Sequence, residues 1–426
     1  MLALYRGLTI AAGPLIGRYL DRRLAAGKED PARFGERLGR ASQPRPAGPL
    51  IWLHAASVGE AVSVLPLIAR LSTEWPDVTP LLTTGTVTSA RMMAERLPPP
   101  AIHQFVPVDR PSAVAAFIAH WRPDLAIWVE SELWPNLIAA TRRAGIPMVL
   151  VQGRMSARSF RNWRLLGPFV APLIGAFEQV LAQTEADAER FRALGARGVG
   201  IAGNLKYAAP PLPADEDTLA RLRKVVGDRP VWLAASTHPG EEAQVAEADR
   251  LLRAQFPDLL TIVVPRHPGR GAEAAAAFPG NAVLRSSGAE PGPETAVYVA
   301  DTLGELGLFY RLAPITFVGG SLVPHGGQNL LEPARLGAAI VHGPHVANFH
   351  EVAERLATVG AAQPVADAAA LADTVAMLLN DPTARTRMAE AGIEEASSQA
   401  DVLDRVMAAL APRLHGFAGP KSDAGA

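Results

Sequence analysis

The chain has 426 residues, 49% of them hydrophobic and 19% charged, with a formal net charge of −1 and no cysteine. That length suggests two or more domains. The composition excludes an intrinsically disordered chain, the charge balance excludes an overall electrostatic footprint for nucleic acid, and the absence of cysteine excludes disulfides and thiolate metal sites.

Residues 1–40 form the first segment. They carry eight Arg/Lys and four Asp/Glu, a local +4 against −5 for the remainder. The apolar run Leu2 to Leu20 is interrupted by Arg6 and Arg18, with Gly13-Pro14 between them. The eleven residues between those arginines fall short of the roughly 20 needed to span a bilayer. The pattern suits an interfacial membrane anchor. Leu, Ile and Tyr would sit among acyl chains, and Arg18, Arg22, Arg23, Lys28, Arg33 and Arg37 would face anionic headgroups on the cytoplasmic side. The structural alternative is an N-terminal helix packed on its own domain.

From residue 41 to 207 short apolar runs alternate with helical spacing: IWLHAAS then EAVSVLPLIARL, LLTTGTV then SARMMAERL, LAIWVE then LWPNLIAATRRAG, then MVLVQ, then QVLAQ and EADAERFRALG. Residues 208–217, within AAPPLPADED, read as a linker. The same grammar restarts over 218–412, with VWLAAS, LLTIVVP, AVYVA, ITFVGGS and AIVHG as strands. WLHAASVGE at 52–60 is echoed by WLAASTHPGEE at 232–242. Residues 413–426 read as a tail. The expected fold is α/β: two doubly wound Rossmann-like domains facing a cleft, with ligands beyond the carboxyl ends of parallel strands.

Several motifs sit at such strand ends. Ser57 and Glu60 form an S-x-x-E capping box, and the same placement suits a general base, because a helix N-terminus favours an ionised carboxylate. Glu130 and Glu132 follow LAIWV, and one of them is expected to be a structural acceptor. Arg154, Arg158, Arg161 and Arg164 suit an anionic acceptor or a solvated loop. Lys206 precedes the linker. Arg266 and His267 follow LLTIVVP. In GGSLVPHGGQNLLEP, Gly326 and Gly327 allow close backbone approach to an anion. A helix opening near Gln328 or Asn329 would offer N–H groups to a phosphate, with Glu332 placed for ribose hydroxyls, whereas Pro333 suits a first helical position and would start the regular helix only there. The ten histidines show no paired metal spacing, so neither a metal site nor a cofactor is expected.

Taken in order, the apolar–basic N-terminus, HAASVGE (54–60), ESELWPN (130–136), RMSARS (154–159), GNLKY (203–207), VPRHPGR (264–270), DTLGEL (301–306), GGSLVPHGGQNLLEP (319–333) and GPHVANFHE (343–351) resemble the bacterial 3-deoxy-D-manno-octulosonic acid (Kdo) transferases. That resemblance implies the glycosyltransferase B architecture. It also implies inverting, metal-independent transfer of Kdo from CMP-Kdo to a lipid A precursor of the lipid IVA type, at the cytoplasmic face of the bacterial inner membrane. It makes Glu60 the general base and marks Glu130 and Lys206 as functionally important. Ser57, Gly59 and Arg154 are carried as further substrate-site residues. The nucleotide is placed against Ser236, Arg266, His267, Gly326, Gly327, Gln328, Asn329 and Glu332. A helix near 384–412 is expected to cross back onto the first domain, as in relatives. In the family pattern His often follows the second Gly-Gly, where this chain has Gln328, and Asn often stands at the position of Gln152. The rival readings are a nucleotide-sugar epimerase of the same fold and a non-catalytic nucleotide-binding or membrane scaffold.

Overall fold

The computed structural model describes residues 1–278, 280 and 282–417. The chain forms two compact units. One runs over Met1–Ala209 and is rejoined by the C-terminal helix Val402–Leu414; the other is Pro210–Ala400. The second unit begins earlier and ends sooner than the 218–412 expected. Asp215 caps a helix starting at Glu216, inside the expected linker. The C-terminal helix runs on to Leu414, and residues 418–426 of the expected tail lie outside the described residues.

The first unit holds a parallel sheet of seven strands: β1 (Leu50–His54), β2 (Thr79–Thr84), β3 (Ile102–Phe105), β4 (Leu125–Val129), β5 (Met148–Gly153), β6 (Gln179–Ala182) and β7 (Val199–Ile201), in the order β3-β2-β1-β4-β5-β6-β7. The second repeats the plan with β8 (Val231–Thr237), β9 (Leu260–Pro265), β10 (Ala282–Leu284), β11 (Val297–Val299), β12 (Ile315–Val318), β13 (Ala339–His342) and β14 (Ala362–Pro364), in the order β10-β11-β9-β8-β12-β13-β14. The order reverses between β1 and β4 in one sheet and between β8 and β12 in the other. These are the switch points where open α/β sheets leave a crevice.

The central strands are buried on both faces, so they read as continuous apolar runs. In β8, Val231, Leu233 and Ala235 enter one core, while Trp232 and Ala234 enter the core on the opposite face. Burial of each large apolar side chain contributes about 1.5–3 kcal/mol. The echoed Trp-Leu pairs play the same part in both sheets. The Trp52 indole N–H donates to Thr83 Oγ1 at 2.8 Å, and that of Trp232 donates to Thr261 Oγ1 at 2.7 Å. Each satisfies a buried donor across neighbouring strands.

The N-terminal segment breaks into two helices, Leu2–Ala11 and Gly13–Ala25, at the Gly-Pro step. Among the described residues no helix is long and apolar enough to cross a membrane. Leu2 joins the first unit's core, Tyr5 stacks on Phe169 with centroids 5.9 Å apart, and Thr9 Oγ1 accepts from Asn136 Nδ2 at 3.0 Å. Two arginines expected to face headgroups turn inward instead. Arg33 forks onto Glu36 and donates to the His103 carbonyl; Arg37 is buried, donates to the Val106 carbonyl and pairs with Glu29. Arg23 is also engaged by Glu29. The guanidinium forks find fixed carboxylate and carbonyl acceptors on their own unit, which water or lipid would have to replace.

Asp109 is the tie for this arrangement. Its carboxylate accepts from the N–H groups of Asn136 (3.1 Å) and Leu137 (2.8 Å), capping a helix, Pro135–Arg143, whose own N-cap residue supplies no side-chain bond. It also accepts from the Tyr5 hydroxyl at 3.0 Å, fixing the first helix. Asp109→Ala should destabilise the protein by about 2–3 kcal/mol. Thermal unfolding should show a lowered midpoint, and limited proteolysis within residues 1–25 should quicken.

Candidate active site

The site residues of the first unit follow β1, β4 and β5. Ser57 caps the helix Val58–Ser63: its Oγ accepts from the Glu60 N–H at 3.3 Å and donates to Glu60 Oε1 at 2.8 Å. Glu60 Oε2 accepts from the Ala56 N–H at 2.8 Å. The capping box is therefore formed, and Glu60 is folded back over the end of β1. Its carboxyl is nearly buried, and its pKa is pushed up to about 7. Burial is the main cause and the neighbouring Glu130 the next; the bonds from Ser57 and Ala56 oppose them only in part. This corrects the expectation that the helix N-terminus would hold Glu60 ionised. A helix of only six residues cannot offset desolvation and a second carboxylate.

Glu130 directly follows β4 with φ +58°, in the left-handed region that non-glycine residues rarely adopt. Gln152, near the end of β5, shares the conformation at φ +55°, and its Nε2 lies 3.4 Å from Glu130 Oε1. Glu132 is the structural acceptor of the pair. Its carboxylate takes the Trp134 indole N–H at 2.7 Å and its carbonyl that of Trp128 at 3.0 Å. Lys206 lies on a 3-10 turn, Leu205–Ala208, which packs against the helix Val58–Ser63. Sequence-distant Glu60, Glu130 and Lys206 thus belong to one neighbourhood. Arg154 is exposed just after β5, and Arg158, Arg161 and Arg164 are exposed on the following helix Ala157–Leu165. A Cβ at Gly59 would meet nothing within 4 Å, so the surface there is open.

In the second unit, Ser236 forms an irregularity at the end of β8 with φ +57°. The Arg266 N–H donates to the Thr237 carbonyl at 2.9 Å, and Arg266 and His267 follow β9. The glycine-rich run after β12 differs from expectation. Its regular helix begins only at Leu331 and lasts five residues, with Pro333 inside it. Asn329 Oδ1 takes the Leu331 N–H at 3.1 Å, and Asn329 Nδ2 donates to Glu332 Oε1 at 3.1 Å. The Gly327 N–H donates to the Gly320 carbonyl at 2.7 Å. Gly326 and Gly327 have φ of +104° and +77°, and a Cβ on Gly326 would lie 2.6 Å from Asn348 Nδ2. These glycines are needed for the loop's own packing, and the short helix is no phosphate cradle by itself.

Sequence reasoning missed Glu241, His238 and His325. Glu241 is fully buried and accepts N–H groups from His238 (3.1 Å), Gly320 (2.6 Å), Ser321 (2.8 Å) and Leu322 (2.9 Å). The signal was present in the echo of the two Gly-Glu pairs. Glu242 beside it is held by Thr237 and by both terminal nitrogens of Arg270. Buried His238 stacks on exposed His325 with centroids 3.7 Å apart, and its Nε2 lies 3.0 Å from Gln328 Nε2. No motif marks that pairing, because it arises from two loops 87 residues apart.

A family model described as 3-deoxy-D-manno-octulosonic-acid transferase (kdotransferase) matches residues 32–209. The 3-deoxy-D-manno-octulosonic acid transferase of Haemophilus influenzae is 34% identical over 422 residues, covering 96% of this chain and 98% of the relative. That of Bordetella pertussis is 36% identical over 415 residues, covering 93% and 96%. Among solved structures, the UDP-GlcNAc 2-epimerase of Neisseria meningitidis bound to UDP-GlcNAc covers 85% of this chain and all of its own, with a TM-score of 0.55 at 12% identity. At that identity the likeness shows the two-domain glycosyltransferase B type of fold alone. The chain belongs to the Kdo transferases and is a glycosyltransferase.

Proposed function

We propose that this enzyme transfers Kdo from CMP-Kdo to a sugar hydroxyl of a lipid A precursor, with inversion, without a metal ion, and with Glu60 as general base. The observation that carries the reading is the buried Glu60 carboxyl beside Glu130 at the β1/β4 switch point. A base poised near neutrality accepts a proton as the acceptor oxygen forms its bond to the anomeric carbon and CMP departs. The first unit holds the acceptor, with Ser57, Gly59, Lys206 and Arg154 about it. The second holds the donor, read by Arg266, His267, Ser236, the loop of Gly326, Gly327, Gln328 and Asn329, and Glu332. Arg266 helps stabilise the departing phosphate.

An acceptor of this kind requires a membrane surface, here the cytoplasmic face of the bacterial inner membrane. Met1, Leu4, Leu8, Ile10, Leu15 and Tyr19 are exposed on the two N-terminal helices, with exposed Arg6, Arg18, Arg22 and Lys28 among them. Leu165 and Leu166 are exposed just before the helix Gly167–Ile174, whose Phe169 touches Tyr5. Apolar side chains within a ring of arginines suit an interface rather than a span.

The decisive assay is CMP release from CMP-Kdo in detergent, with and without a tetraacylated lipid A precursor. Wild type should show acceptor-dependent release. Glu60→Gln should lose about 10²–10⁴ of it while retaining donor binding; unchanged turnover would return Glu60 to a capping role. The base must be ionised to act, so kcat/KM should fall about tenfold per pH unit below an acid limb near 7. Glu130→Gln removes a negative neighbour that raises the Glu60 pKa, so that limb should move to lower pH. Leu8→Glu with Leu15→Glu should reduce flotation with anionic vesicles while leaving the thermal midpoint within about 1 °C, as expected of exposed positions; undiminished flotation would exclude this face as the anchor.

A further inference from the structure

Four nitrogen-bearing side chains converge after β8, β9 and β12: His238, Arg266, His267 and His325. The charged groups that face His238 are Arg266 and His267 from the segment after β9, His325 from the loop after β12, and Glu242 from the helix Glu241–Arg253 that follows it. Neither nearby carboxylate balances them. Glu241 is engaged by four backbone N–H groups, and Glu242 by Arg270 and Thr237. The backbone donors that a phosphate might have met at Gly320, Ser321 and Leu322 are taken up by that same Glu241. What this edge offers an anion is therefore its side chains. Gly320, at φ +67°, comes so close that a Cβ there would lie 3.2 Å from the His238 ring and 3.4 Å from Gln328, so the imidazole is fixed in place.

We infer that the stacked imidazoles of His238 and His325 seat an anionic oxygen of the donor, from its phosphate or its sugar carboxylate, and that net proton uptake by the pair accompanies donor binding. This rests on the reading that the second unit holds CMP-Kdo. Two protonated rings at 3.7 Å repel one another, and an anion seated against them offsets that repulsion. Burial, then His325 and the neighbouring cations, lower the His238 pKa to about 4, which keeps it neutral before the donor arrives. An anion about 4 Å away in an effective dielectric near 20 moves a titration by about three pH units. The seated anion thus opposes the effects that lower His238 and raises its proton affinity. Gln328 serves both states. Its Nε2 donates to the neutral ring at 3.0 Å, and after a half-turn of the amide its Oε1 accepts from the protonated one.

The test is calorimetric titration of the full chain in detergent at pH 6, in two buffers of different ionisation enthalpy. The probes are the methyl phosphodiester of cytidine 5′-phosphate, whose phosphate does not titrate there as a monoester would, and free Kdo. Net proton uptake should accompany binding of the probe that occupies the seat. Uptake with the diester assigns the seat to the phosphate; uptake with Kdo alone assigns it to the carboxylate. His325→Asn, at an exposed position where folding is not at stake, should weaken binding about tenfold and cut the uptake below about half; His238→Gln should abolish it. Binding without uptake, or uptake unchanged in both variants, overturns the inference. Failure of both probes to bind overturns the donor assignment to this unit, and the seat with it.

Discussion

A parallel strand cannot return to its neighbour through a tight turn; it needs a crossover. Both sheets here are wholly parallel, so every strand delivers its next residue to the same edge. Where the strand order reverses, successive crossovers leave on opposite faces and part. That constraint explains why chemistry-bearing residues far apart in sequence become neighbours. Glu60 follows β1 and Glu130 follows β4, which pair directly. His238 follows β8 and Gly319–Leu322 follow β12, which also pair.

The two edges show how one placement yields opposite roles. Glu60 and Glu241 both follow a buried strand that contains a Trp-Leu pair. Glu241 is surrounded by four backbone N–H donors, which fix its carboxylate in place. It serves as an internal acceptor that shapes a loop. Glu60 is buried with a second carboxylate nearby and receives only one N–H and one hydroxyl, so its proton affinity rises to the range where transfer is useful. The number of donors within reach, rather than the position in the fold, separates this staple from the proposed base.

The long apolar runs made the ten central strands legible, since a strand buried on both faces needs no alternation. The edge strands β3, β7, β10 and β14 were not. They are three or four residues long and partly exposed, so pairing with a neighbour, rather than local composition, creates them. The capping box was legible because it is local. The inward turn of Arg33 and Arg37 was not, because basic residues beside an apolar helix look alike whether a carbonyl or a lipid headgroup receives them. The stacked histidines and the Glu241 contacts join segments 79–90 residues apart, and no spacing rule records such a meeting.

Backbone strain completes the argument for where function lies. Glu130, Gln152 and Ser236 are non-glycine residues in left-handed conformations, each costing about 1–2 kcal/mol. Together that is about 3–6 kcal/mol, a substantial fraction of the roughly 5–15 kcal/mol folding margin of an ordinary protein. It persists because the strands leading to these residues are completely buried, with Trp52 and Trp128 packed at a centroid distance of 4.8 Å in the first unit and Trp232 enclosed in the second. A rigid strand can force its last residue to turn out of the sheet, aiming a side chain along the edge rather than across it. Two such turns set Glu130 and Gln152 beside each other, and Glu130 in turn raises the proton affinity of Glu60. The stability of the cores thus sustains the strained geometry on which the acid–base behaviour of the edge depends.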